Sequence, residues 1–112
     1  MSSEPGLPKT ERRSRKRIVK RLPVRVRRAH DSGDVMAHTR DVSATGIFLY
    51  TQSGLVAGCE VELVLILPPE LTAGEKCWVC CHAQVLRVES VGKKFGVAAN
   101  IRRIEVLPEI AI

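Results

Sequence analysis

Asp41-Val42-Ser43-Ala44-Thr45-Gly46-Ile47-Phe48-Leu49-Tyr50 sits at the point where the chain's pattern changes. The Asp, Ser and Gly of its first half are turn chemistry, and the apolar run that follows is short enough for a buried strand. Upstream, Leu22-Pro23-Val24-Arg25-Val26-Arg27-Arg28 alternates, with Leu22, Val24 and Val26 on one face and arginines on the other, as in a half-buried strand. Asp31-Ser32-Gly33-Asp34 is a second turn signal and predicts a hairpin into Val35–Arg40.

Downstream, Cys59–Leu67 begins with alternation, ends in a continuous apolar run and is stopped by Pro68-Pro69. Glu70–Glu75 reads as a connecting loop. Lys76–Glu89 predicts a long strand with Val79, Cys81, Ala83 and Val85 in one parity, and Val91-Gly92-Lys93 turns it into Lys94–Ile101. Six short strands joined by Gly and Asp turns, without a convincing helix, predict an all-β, six-stranded antiparallel barrel. Residues 102–112 are expected to form a short tail, as a helical turn or a strand, because Pro108 opposes a long helix.

At 112 residues the chain has room for one domain with a modest core. The longest apolar run, Leu63–Pro69, is far below a bilayer span, and no apolar segment follows the N-terminal charges, so neither a membrane helix nor a signal peptide is expected and the location is read as cytoplasmic. In a reducing compartment the four cysteines read as free thiols. Cys77-Trp78-Val79-Cys80-Cys81-His82 fails as a haem attachment motif because Cys81 stands where His is needed. As a zinc knuckle it fails because strand parity puts residues three apart on opposite faces, so no metal site is assigned. Trp78 is expected in core or barrel-end packing.

Charge is concentrated at one end. Between Lys9 and Arg28 there are eleven basic residues (Lys9, Arg12, Arg13, Arg15, Lys16, Arg17, Lys20, Arg21, Arg25, Arg27, Arg28) against Glu11, which is +10; the overall charge of +6 leaves −4 for the rest. From Thr10 to Lys20 there is no apolar stripe, and charge repulsion opposes a helix, so this stretch reads as an arm that orders only against a partner. The sequence has no paired-carboxylate, nucleophile-elbow or phosphate-loop pattern, so an enzyme is not expected.

Taken together, Arg13-Ser14-Arg15-Lys16-Arg17 before the first barrel strand and Asp41-Val42-Ser43-Ala44-Thr45-Gly46 after the second resemble the RxxxR and [D/N]xSxxG motifs of the PilZ domain, a bacterial module that binds cyclic di-GMP. The resemblance extends through Leu55–Leu63 and Lys94–Val97 and covers roughly residues 12–104, leaving 1–11 as a flexible tail, 12–21 as the basic arm and 105–112 as a C-terminal tail. It implies a split-barrel fold and a ligand site built from Arg12, Arg13, Arg17, Asp41, Ser43 and Gly46. Cyclic di-GMP would be the ligand, and no separate cofactor is implied.

The chemistry suits that assignment. Arginine grips a phosphate with two parallel hydrogen bonds or lies flat on a purine. Four residues apart on an extended arm, Arg13 and Arg17 share a side at about 13 Å. A carboxylate at Asp41 accepts from guanine N1–H and N2–H₂ together, a pairing that adenine does not offer. Ser43 either meets the base or fixes the turn, and Gly46 is expected to supply a positive φ. By the resemblance to PilZ domains, Arg12, directly before the motif, implies an intercalated ligand dimer. The implied action is a change of shape, signalled to an unidentified effector protein. Two other readings remain: a basic small barrel that binds nucleic acid, disfavoured by the few and scattered aromatics, and a PilZ-like interaction module without ligand.

Overall fold

The computed structural model describes residues 17–28, 34–72 and 74–108. Arg12 and Arg13, the tail before them and the predicted turn at residues 31–33 lie outside the described residues.

Alternation in the sequence becomes the inner and outer faces of a barrel. In β2 (Pro23–Arg28), Val24 and Val26 point inward and are fully buried, while Arg25 and Arg27 face out. β2 pairs antiparallel with β3 (Asp34–Val42), which pairs on its other edge with β4 (Gly46–Thr51). β5 (Glu60–Leu67), β6 (Cys77–Val91) and β7 (Lys94–Val106) complete the order β3-β2-β5-β6-β7-β4, and the β3–β4 pairing closes it into a six-stranded antiparallel barrel. The core joins Val24, Val26, Ile47, Leu49, Leu63, Leu65, Val79, Cys81, Val85 and Val97. Gly92, at φ 64°, starts the two-residue turn between β6 and β7, a conformation glycine adopts without steric cost. The loop after Pro68 contains one 3₁₀ turn, Pro69–Leu71. Among the described residues no helix is long and apolar enough to cross a membrane.

Three expectations are corrected. The arm is not wholly dependent on a partner, because Ile18–Val19 forms a short strand, β1, paired with Val42 and Asp41 of β3. β1 and β2 run along the same edge of β3 with one extra residue between them: four steps from Val19 to Pro23 face three from Asp41 to His38. The irregularity is held by Thr39, whose buried hydroxyl donates to Lys20 O and accepts from Leu22 N at 2.9 Å. Secondly, of the two forms left open for residues 102–112 the strand is the one found, and it carries β7 past the expected boundary at residue 104 to Val106, paired with the first half of β6, a partner that local sequence does not display. Thirdly, Trp78 is 52% exposed; it pairs with Ile66 on the outer face, as its parity opposite to Cys77 and Val79 demands.

Candidate functional site

Asp41 would face the core if β3 alternated regularly, because Thr39, two residues earlier, points inward opposite Leu49. Instead the β3–β4 register shifts between Thr39 and Asp41, leaving Arg40 as the extra residue. This β-bulge inverts the parity, so that Asp41 pairs with Phe48 on the outer face and Val42 with Ile47 on the inner one. A bulge is thus what delivers the carboxylate to the site.

The Asp41 side chain is only 7% exposed, and both its oxygens are engaged. Arg17 Nη1 donates to Oδ1, and Arg40 Nε donates to Oδ2 at 2.7 Å. Val19 pairs with Asp41, so Arg17, two residues before it, shares the Asp41 face; β1 is what brings the second arginine of RxxxR to the second motif. The Arg40 guanidinium lies 3.9 Å from the Phe48 ring centroid. Its hydrogen bond to Asp41 raises its pKa above the ordinary arginine value, against desolvation. With half of each arginine in solvent, the contacts are screened and exchangeable rather than a rigid buried pair.

Ser43 fixes the turn. Its Oγ accepts from Thr45 N at 3.3 Å and Gly46 N at 3.1 Å, and donates to Gly46 O at 3.2 Å, while its own N–H reaches Gly46 O at 2.8 Å. At 2% exposure, Ser43 shapes the loop from inside. Gly46 does not have the positive φ expected of it: it opens β4, and the positive-φ glycines of the described residues are Gly58, Gly74 and Gly92. What it supplies is room, since a Cβ there would stand 3.1 Å from Arg17 Nη2.

Sequence reading missed a strip of side chains beyond Asp41. Phe48 and Tyr50 share the outer face of β4 and meet edge to face with centroids 5.5 Å apart; His38 lies 5.6 Å from Tyr50, and Lys94 Nζ sits 4.4 Å from the Tyr50 centroid. The i, i+2 spacing of Phe48 and Tyr50 was the available signal. Gly96 admits Phe48, for a Cβ there would come within 2.8 Å of Phe48 Cζ. The strip leads to an open groove of about 580 Å³ lined by Arg21, Met36, His38, Tyr50, Gln52 and Lys94. Burial first, then the charges of Arg21 and Lys94, lower the His38 pKa, so the groove is cationic through Arg21 and Lys94. Of the six residues the motifs nominated, the structure brings Arg17, Asp41, Ser43 and Gly46 together; Arg12 and Arg13 precede the described residues.

The sequence profile of the PilZ domain family matches residues 11–107. No curated protein is significantly similar in sequence. Among solved structures, the chain resembles the Bacillus subtilis inhibitor of motility MotI/DgrA, with TM-score 0.64 and 22% identity over 83% of this chain and 43% of that one. It also resembles the PilZ domain of CeSA from a cellulose-synthesizing bacterium, with TM-score 0.50 and 22% identity over 79% of this chain and 83% of that one. The chain therefore spans less than half the length of MotI/DgrA. At these identities the structures bear on the fold.

Proposed function

The chain belongs to the PilZ domain family, and from that premise we propose that it is a receptor for cyclic di-GMP, acting through a rearrangement of its basic arm that a partner protein reads. One observation carries the reading: the Asp41 carboxylate, turned outward by a bulge, is capped on both oxygens by guanidinium groups, Arg17 on one side and Arg40 on the other.

A guanidinium offers a carboxylate N–H donors much as the N1–H and N2–H₂ edge of guanine does. The resting contacts therefore occupy the place where a guanine would dock. On binding, guanine takes Asp41, and Arg17 turns its freed donors to a phosphate, helped by Arg13 and by Arg12, which would serve an intercalated second ligand. Arg40, already on the Phe48 ring, keeps one carboxylate oxygen or lies against the base. Ser43 and Gly46 act indirectly, one holding the loop and the other leaving space for Arg17. Ordering the arm opposes binding, and charge-assisted bonds of about 1.5–3 kcal/mol each are sufficient to offset it.

Calorimetric titration with cyclic di-GMP tests the proposal. Binding should vanish in Arg13→Ala and Arg17→Ala and weaken only slightly in Arg21→Ala, and Asp41→Ala should lose preference over cyclic di-AMP. The absence of heat at roughly tens of micromolar protein in moderate salt refutes the receptor role. Equal losses across all arginines would indicate non-specific polyanion binding instead.

A further inference from the structure

On the outer face of β5, β6 and β7, strands that carry none of the Asp41 cluster, four side chains with metal-ligating atoms converge. Glu62 pairs with His82 across β5–β6, and Cys80 pairs with Glu105 across β6–β7. Paired residues share a face, so all four point the same way. One donor atom each from Glu62, Cys80 and His82 lies within 4.8 Å of the others. Cys80 Sγ is 3.9 Å and Glu105 Oε1 3.2 Å from His82 Nε2, while Glu62 Oε2 is 3.7 Å from His82 Nδ1.

We propose that Cys80 and His82, with the carboxylates of Glu62 and Glu105, form a zinc site that ties β5, β6 and β7 together on the outside of the barrel. Ion-to-donor distances of about 2.0–2.3 Å place tetrahedral donors roughly 3.2–3.8 Å apart, close to the spacings seen around His82 Nε2. A thiolate, an imidazole and carboxylates are a donor set that suits Zn²⁺ and disfavours Mg²⁺ or Ca²⁺.

One feature beside the cluster bears on how an ion would enter. Arg103 Nη2 stands 3.1 Å from His82 Nε2, beside Glu105. The guanidinium thus fills the cation position and must swing away for an ion to enter.

The cluster is a product of register. β7 carries an extra residue, Arg102, where the β6–β7 pairing shifts between His82 and Ala83. Ile101 faces inward with Ala83, and without the extra residue Arg103 and Glu105 would share its parity and point away from Cys80. Cys77, three residues before Cys80, packs against the core and takes no part.

The test is a titration of the purified chain with ZnCl₂ alone against a chromophoric chelator, with CoCl₂ in parallel. One ion per chain is expected, with a thiolate-to-cobalt charge-transfer band in the near ultraviolet. Cys80→Ser and His82→Gln should each weaken binding at least about tenfold, Glu62→Gln and Glu105→Gln should weaken it less, and Arg103→Ala should tighten it. Cys77→Ser should leave it unchanged, with the far-ultraviolet dichroism of every variant as the check on folding. No stoichiometric binding at roughly tens of micromolar, retention of full affinity in folded Cys80→Ser, or a loss in Cys77→Ser equal to that in Cys80→Ser would overturn the site. Because no cyclic dinucleotide is present, the result is independent of the receptor reading.

Discussion

Thr39→Val isolates the contact that attaches the arm to the barrel. Thr39 is 1% exposed, and its hydroxyl makes two bonds to the arm, donating to Lys20 O and accepting from Leu22 N at 2.9 Å. Valine keeps the shape and removes both, without opening a cavity. At about 0.5–1.5 kcal/mol net for each bond, the variant should lose about 1–3 kcal/mol. Urea unfolding should show a lower midpoint with an unchanged slope. Native-state amide exchange provides a local reading: the Leu22 N–H should be protected in the parent and in Thr39→Ser, which keeps the hydroxyl, and should exchange faster in Thr39→Val. Since the pairing of β1 holds Arg17 beside the site, where it would turn to a phosphate, cyclic di-GMP affinity should fall in the same variant. An unchanged midpoint together with an unchanged Leu22 exchange rate would refute the hydroxyl's role in docking the arm.

Gly46→Ala should cost within about 0.5 kcal/mol of stability, because the Arg17 tip that it crowds is flexible, yet weaken cyclic di-GMP binding in calorimetry by moving that tip. Gly96→Ala should do the reverse in degree, destabilising by about 1–3 kcal/mol in urea, since its Cβ would drive into the Phe48 ring. Burial pushes the Cys81 thiol up to about 12. That raised value means the contribution is whole below the unfolded thiol's pKa of about 9 and is lost as pH climbs towards 12, by at most about 1.36 kcal/mol per pH unit. Urea midpoints measured from about pH 8 to about pH 11 should therefore fall more steeply in the parent than in Cys81→Ala, which is less stable at neutral pH but lacks the titration.

Local pattern determined a good part of this protein. Val24 and Val26 against Arg25 and Arg27, or Val79, Cys81, Ala83 and Val85 in one parity, give strand and face because side-chain direction alternates within a single strand and requires no partner. The glycine and aspartate turns counted the six barrel strands, and the resemblance to the PilZ motifs assigned Arg17 and Asp41 to one ligand site. What only the tertiary structure decided is everything set by pairing between strands. The bulge at Arg40 turns Asp41 outward, a bulge at Arg102 brings Glu105 beside Cys80, and β1 finds β3 twenty-odd residues away. The outward strip from Phe48 to Lys94, the space at Gly46 and the exposed Trp78 follow from the same pairings. One inserted residue inverts the face of all that follows it in a strand, and that insertion is defined only against a partner strand, through hydrogen bonds that the linear sequence does not display.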